Sequence, residues 1–417
     1  MMPLIDRARL LADLDALAAI SAPGAPGVTR VAFTPAFDEG RRWLRARFEQ
    51  AGLRAAVDAG GNLIGRREGD SGLPPILIGS HSDTVFGGGR YDGALGVLAA
   101  LAVARALRDQ PLRHGLWVCD YLAEEATDYG VACVGSQALA GALTTDALAL
   151  RGPDGRSVAE ALRAVGGAPE HLNEARLAPG SFAAALELHI EQGPRLERAD
   201  ARLAAVSGIV GIRRVRLLLT GQPDHAGTTP MDARHDALAA AAAIVLRLEA
   251  LARATPEAIA TVGRIEARPN QGNVVPASVA LAAEIRSLQP LLIAQIWGAL
   301  LEGAQAECAA RGVTLAVQAL EDAPPALPAP WLFDLVSNVC RRLDPRAIAL
   351  PSGAGHDTGY LAAIGPTAMI FVPSVGGRSH CPEEHTSPSD LVLGAQALLE
   401  AVLAVDAGGT TSTDETE

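Results

Sequence analysis

The sequence predicts an α/β protein: a mixed, mostly parallel sheet covered by helices, with a smaller α+β domain inserted into it. Three observations carry this. Up to Ser207, short apolar runs that read as buried strands alternate with segments whose apolar residues recur at helical spacing, as parallel strands joined by crossover helices require. After Ser207, apolar and basic residues alternate as in a half-exposed antiparallel strand. Beyond the stiff, proline-rich stretch Asp322–Pro330 the helix–strand pattern returns, so the middle segment interrupts a larger domain.

The elements follow in order. Residues 4–20 and 35–52 carry helical apolar spacing, and 62–80 holds strand-like runs ending in Pro74-Pro75-Ile76-Leu77-Ile78-Gly79-Ser80. After a glycine loop, 93–107 is an Ala/Leu/Val helix, and 115–122 and 183–189 are short buried strands. In the middle segment a strand over 209–220 precedes a helix over 236–254, strands near 260–266 and 278–286, a helix over 290–311 and a strand at 313–320. This β-α-β-β-α-β order is the split βαβ, ferredoxin-like arrangement. Residues 367–372 read as a further buried strand. The expected division is 1–208 and 323–405 for the larger domain, 209–322 for the inserted one, and 406–417, rich in Gly, Thr, Asp and Glu, as a disordered tail.

Composition narrows the function. The chain has 417 residues, enough for two to four domains at about 100–200 residues each. A formal charge of −12 repels phosphate backbones and anionic lipid, which argues against nucleic acid and membrane surfaces as partners. All 35 basic residues are Arg, so chemistry that needs a lysine ammonium, such as Schiff bases or the Walker-type loop, is excluded. The five cysteines are widely spaced with no CxxC pair, which disfavours a disulfide scaffold or a thiolate metal site. The first residues reach Asp6 before any apolar run forms, and the longest such runs, Leu95–Ala104 and Ala237–Leu246, fall short of the ~18–20 residues that cross a bilayer. A cytoplasmic enzyme is the expectation.

Four of the nine histidines sit beside carboxylates or glycine turns where a strand ends, which is where open α/β sheets place their sites. In His81-Ser82-Asp83, side chains two apart share one side of an extended chain, so Asp83 can take the N–H of a metal-bound His81 imidazole. Gly87–Gly93 brings Asp92 to the start of a helix, where an N-cap is its ordinary role. Glu124 and Glu125 close the next strand. Neighbouring strand residues face opposite ways, so one carboxylate can bind a metal while the other reaches the water bound there as general base. In isolation a solvated acidic turn is the plainer reading of this dipeptide. Glu187–Pro194 closes a third strand with His189, and Ser379-His380 follows a fourth. Imidazoles and carboxylates without sulfur suit Zn, Mn, Co or Ni, and five ligands with one bridging carboxylate point to two ions.

Five stretches, Gly79–Val85, Gly88–Val97, Glu187–Leu196, His225–Met231 and Ser352–Asp357, together resemble the hydantoinase/carbamoylase family of dinuclear metal amidohydrolases, in order from about residue 30 to 400. The resemblance implies two divalent ions, with zinc foremost and Mn, Co or Ni as alternatives. His81 and His189 would bind one ion, Glu125 and His380 the other, and Asp92 would bridge them. It further implies that Asp83 orients His81 and that Glu124 deprotonates the bridging water and later protonates the leaving nitrogen. The inserted domain would form a homodimer and close as a lid, with His225 reaching the substrate carbonyl from the partner subunit. Gln192, Asn273, Arg286 and Gly353 would hold the substrate's carboxylate and amide groups. An Arg suits a carboxylate because its fork binds both oxygens.

The chain departs from the family where Ala126–Gly130 replaces a Gly-Ser-Arg-Phe-like run, putting the acid Asp128 in place of an expected basic residue, and where His385 replaces an aromatic. His385 lies five residues from His380 and is the rival ligand there, with the Ser379-His380 pair favouring His380. His114, His171 and His235 carry no pattern and are assigned surface or structural roles. The expected activity is hydrolysis of the C–N bond of an N-carbamoyl-L-amino acid or related ureido acid. The rivals are an N-acyl amino acid or small-dipeptide hydrolase with the same centre, and a catalytically silent binding homologue.

Overall fold

The computed structural model describes residues 2–408, which divide into two compact units, 2–207 with 327–408, and 208–326. Along the chain run β1 (Arg54–Val57), β2 (Leu63–Arg67), β3 (Leu73–His81), β4 (His114–Tyr121), β5 (Ala184–Ile190), β6 (Ala204–Ile209), β7 (Gly211–Thr220), β8 (Ala258–Arg268), β9 (Ser278–Ser287), β10 (Thr314–Ala323), β11 (Ile348–Ser352) and β12 (Thr367–Val372).

In the larger unit eight strands form one sheet in the order β1-β2-β4-β3-β5-β12-β6-β11. The pairings β4–β3, β3–β5 and β5–β12 are parallel, while β1–β2, β2–β4 and β12–β6 are antiparallel. The sheet is therefore mixed, with a parallel centre. The five residues between β1 and β2 permit only a hairpin, because a parallel return needs a crossover of a dozen or more residues. The short strands β1, β6 and β11 escape the sequence pattern because four to six residues with a mixed or partial burial pattern carry little periodic signal.

Residues 94–104 of the Ala94–Ala106 helix are buried on every side, as an all-apolar helix requires, and the helix packs on β3, β4 and β5. The Pro388–Asp406 helix covers it. By length and composition that helix could cross a membrane, but its Leu391, Leu398, Leu399 and Val402 are core residues. Each such leucine contributes roughly 1.5–3 kcal/mol by leaving water. Asp406 was expected to begin a disordered tail. Instead it closes this helix, is buried, and its Oδ1 accepts the backbone N–H of His114 at 2.8 Å. Residues 409–417 of the expected tail lie outside the described residues.

The smaller unit is an antiparallel sheet in the order β10-β7-β9-β8 with the Ala237–Arg253 and Pro290–Ala310 helices. Along β9, Val279, Leu281, Ala283 and Ile285 are buried while the residues between them are partly exposed. The buried set packs with Ile244, Leu248, Ile296 and Leu300 of the helices. The stretch read as a linker begins as structure: β10 continues to Ala323, and Ile209 pairs with Ala326.

Candidate metal centre

The parallel centre of the larger sheet positions the candidate residues. Strands β4, β3, β5 and β12 are neighbours running the same way, so their carboxyl ends share one edge, and the loops leaving them converge. His81 is the last residue of β3 and His189 the penultimate residue of β5. Glu124 and Glu125 follow β4, His380 follows β12, and Asp92 precedes the Ala94–Ala106 helix. Gly93 takes the N-cap position with φ +62°, and a Cβ there would meet the His81 ring at 2.3 Å. Asp92 is thereby released from the capping role.

Asp92 is the hub. Its Oδ1 lies 3.1 Å from His189 Nε2 and 3.9 Å from His81 Nε2. Its Oδ2 lies 3.0 Å from His380 Nε2, which is itself 3.1 Å from Glu125 Oε1. Two donor groups, His81-Asp92-His189 and Asp92-Glu125-His380, thus share one carboxylate. Glu124 Oε2 stands 3.5 Å from His81 Nε2. His81 Nδ1 faces the Asp83 carbonyl at 3.1 Å and His189 Nδ1 faces the Ile190 carbonyl at 2.9 Å. A neutral ring that donates from Nδ1 presents the lone pair of Nε2 to the group around Asp92, which is how a metal-ligating histidine is prepared.

The electrostatics follow from crowding acids in a dry site. Burial acts to raise Asp92, but hydrogen bonds with His189 and His380 hold it well below the usual carboxylate range. Burial alone would lower His189; Asp92 overrides it and holds the imidazole at about 9. Asp92 and Glu125 hold His380 at about 10. Burial, then Asp357, Glu125 and Asp83, push Glu124 well above its ordinary value. Burial raises Asp83 to about 6 against the pull of His81. An excess of carboxylates with imidazoles, all nitrogen and oxygen donors, fits divalent cations.

The structure brings His81, Asp83, Asp92, Glu124, Glu125, His189 and His380 together, with details that differ from expectation. The acidic dipeptide does not lie on a strand. β4 ends at Tyr121, and Ala123 in a left-handed conformation (φ +52°) turns the loop, so the loop rather than strand alternation sends Glu124 toward His81 and Glu125 toward His380. The Asp83 carboxylate is 3.6 Å from His81 Nδ1 and is bonded instead to the backbone N–H groups of Glu124 and Glu125. His385 belongs to neither donor group; its ring lies 6.3 Å from that of Tyr91. Gln192 donates to Asp92 Oδ2 at 3.0 Å, and its buried Oε1 finds no partner among the described residues. Gly353 sits on an exposed loop after β11. Tyr129 packs edge-on against Phe33 at 5.5 Å, and Asp128 is exposed.

The other substrate candidates lie in the smaller unit. His225 is exposed and bridges to Val274, beside Asn273. Arg286, on β9, donates from Nε to Glu284 Oε1 at 3.0 Å, and Arg214 binds the other Glu284 oxygen. Of the unassigned histidines, His114 and His235 face backbone carbonyls and His171 pairs with Glu174.

Two acids of the site escaped the sequence reading. Glu187, fully buried on β5, accepts from Ser80 Oγ at 2.7 Å and Thr358 Oγ1 at 2.9 Å; an acid inside an apolar strand was the available signal. Glu384 is buried and accepts the backbone N–H groups of Tyr91 and Asp92, and nothing in its local sequence announces it.

The chain is similar to known proteins along most of its length. Residues 77–404 match Peptidase family M20/M25/M40. The chain is 37% identical over 379 residues to an N-carbamoyl-L-amino acid amidohydrolase of Geobacillus stearothermophilus, covering 90% of this chain and 93% of that protein. It is 32% identical to a ureidoglycolate hydrolase of Oryza sativa subsp. japonica, covering 95% and 84%. Among solved structures, a hydantoinase/carbamoylase family amidase from Burkholderia multivorans superposes with a TM-score of 0.87 at 34% identity, over 96% of this chain and 98% of that one.

Proposed function

We propose, from the premise that the chain belongs to peptidase family M20/M25/M40 and to its hydantoinase/carbamoylase amidases, that it hydrolyses the C–N bond of an N-carbamoyl-L-amino acid or related ureido acid. The observation that carries this reading is the sharing of Asp92 between two donor groups with Glu124 beside them. His81 and His189 would hold one divalent ion, Glu125 and His380 the other, and Asp92 both. Such ions, when bound, lower the pKa of water and polarise the carbonyl, which a ureido carbon needs because it is a poor electrophile.

The rest of the work falls to the chain's own groups. Glu124 accepts the proton of the attacking water and returns it to the nitrogen that leaves as the C–N bond breaks. Its desolvation among Asp357, Glu125 and Asp83 makes its carboxylate a strong proton acceptor. Asp83 holds the backbone under that base. A carbamoyl substrate yields the free amino acid, carbon dioxide and ammonia. Arg286 of the smaller unit suits the substrate carboxylate, and Gln192 and Gly353 are the candidate substrate contacts of the larger unit.

The smaller unit supports a homodimer as the working form. Asn273 and His225 lie beyond the Ser278 end of β9, whereas Arg286 lies near the Ser287 end, and eight steps at about 3.4 Å put about 27 Å between Ser278 and Arg286. An N-carbamoyl amino acid is far shorter. One protomer therefore supplies Arg286 and its partner supplies the His225–Asn273 pair. The free state of all five cysteines supports a reducing, cytoplasmic setting. Steady-state assays on N-carbamoyl, N-acyl, dipeptide and allantoate panels test the reading; turnover of the acyl or peptide substrates without the ureido ones would overturn it.

A further inference from the structure

Glu384 has no part in the reading above, yet its carboxylate ties together two loops that meet only in the folded chain. Its Oε1 accepts the backbone N–H of Tyr91 at 2.8 Å and of Asp92 at 3.1 Å. Its Oε2 accepts the hydroxyl of Ser379, the residue before His380, at 2.8 Å, and the Ser379 Oγ is also 3.1 Å from Asp92 Oδ2. The side chain is almost wholly enclosed, at 3% exposure for the residue. The space is made by Gly89: a Cβ there would stand 2.0 Å from the Glu384 carboxyl carbon.

The three histidines differ in how much else holds them. His81 and His189 are built into strands and buried, so their rings are set by the sheet. His380 is on a loop, in a left-handed conformation (φ +55°), with 47% of its side chain exposed. Ordering such a ring at the moment an ion binds carries an entropic cost that a prior anchor removes. We propose that Glu384 is the positioning residue of the ion site formed by Asp92, Glu125 and His380, presetting Asp92 Oδ2 and His380 Nε2 against each other. The proposal rests on the two-ion reading of the centre. Partners that orient metal ligands typically carry 10–100-fold of metal affinity, so the expected effect is of that size and falls on one site of the two.

The test uses the full chain, stripped with a chelator and titrated calorimetrically with Mn²⁺ and with Zn²⁺, with thermal unfolding followed in parallel. The wild-type chain is expected to take up two ions. Glu384→Ala is expected to keep one at wild-type affinity and to bind the other about 10–100-fold more weakly. Glu384→Gln keeps an acceptor for the two amides and offers its NH₂ to the Ser379 hydroxyl, and is expected to bind close to wild type. Gly89→Ala leaves the carboxylate in the chain but displaces it, and is expected to reproduce the weakened second site. Two ions at wild-type affinity in both Glu384→Ala and Gly89→Ala, or equal weakening of both sites that merely tracks a lower melting temperature, would overturn the role of Glu384 alone. Fewer than two ions in the wild-type chain would overturn the two-ion reading and this inference with it.

Discussion

The carboxylate of Asp83 reaches from the loop after β3 to the loop after β4, where its Oδ2 accepts the backbone N–H of Glu125 at 3.2 Å. Its Oδ1 accepts the N–H of Glu124 at 3.3 Å. One side chain thus holds the backbone of both the proposed base, which faces His81, and a proposed ion ligand, which faces His380.

Asp83→Asn tests this clamp. An amide side chain offers one acceptor oxygen where the carboxylate offers two, so one buried N–H loses its partner at a cost of about 1–3 kcal/mol. We expect lower thermal stability of the metal-free chain and a drop in kcat that exceeds any change in KM. Unfolding curves and steady-state kinetics on one preparation check both.

Glu124→Gln separates base from ligand. Removing a general base costs typically 10²–10⁴-fold in rate, and we expect that loss in kcat with the ion content intact. Glu125→Gln should instead reduce the number of ions bound. Metal analysis beside kinetics distinguishes the two; full activity in Glu124→Gln would remove it from the mechanism.

Ion binding should depend steeply on pH. In the metal-free chain His189 and His380 are held at about 9 and about 10, above the ordinary 6.5 of an imidazole. Each must lose its proton to bind a cation, so apparent affinity should rise with pH through neutrality and level off above about 10. The same raised values stabilise the metal-free fold fully below pH 6.5, and that contribution is lost as pH rises through 9 and 10. Titrations and melts across pH 6–10, with and without chelator, should show the two trends running in opposite directions.

Arg30 is fully buried and donates to the carbonyls of Ser82, Leu17 and Ile20 at 2.7–2.9 Å, fastening the residue between His81 and Asp83 to the Arg7–Ala18 helix and its C-terminal turn. Arg30→Met removes a charged donor from three carbonyls, of which that of Leu17 still accepts the N–H of Ile20, and should destabilise by about 3 kcal/mol. Arg253→Ala, which breaks an exposed pair with Glu249, should stay within about 0.5 kcal/mol of wild type. Chemical denaturation of both measures the contrast.

Arg286→Lys tests the carboxylate site. A lysine cannot reproduce the planar two-bond grip, so KM should rise with little change in ion content. An unchanged KM would remove Arg286 from substrate binding.

The centre's donors were legible in the sequence because they sit in motifs at the ends of strands whose apolar runs are unambiguous. The assignment of His81, Asp92, His189 and His380 as ligands came from the resemblance to the hydantoinase/carbamoylase family, since Asp92 by itself reads as a helix cap. The direction of each acidic side chain at Glu124-Glu125 was not legible, because it depends on the left-handed turn at Ala123 rather than on strand alternation. Glu384 was invisible for another reason: its partners at Tyr91 and Asp92 are backbone amides nearly three hundred positions away, and backbone amides carry no sequence signature.

The sequence by itself determined the two-part α/β plan, because periodicity is a local property of a chain, and its motifs marked the candidate nitrogen and oxygen donors through their resemblance to a family. Only the tertiary structure decided that β4, β3, β5 and β12 stand side by side, that Asp92 is divided between two groups, and that Asp83 and Glu384 lock the loops around it. Strand order and loop-to-loop hydrogen bonds join residues far apart in sequence. Their pairing is settled by burial and by the demand that every enclosed polar group find a partner.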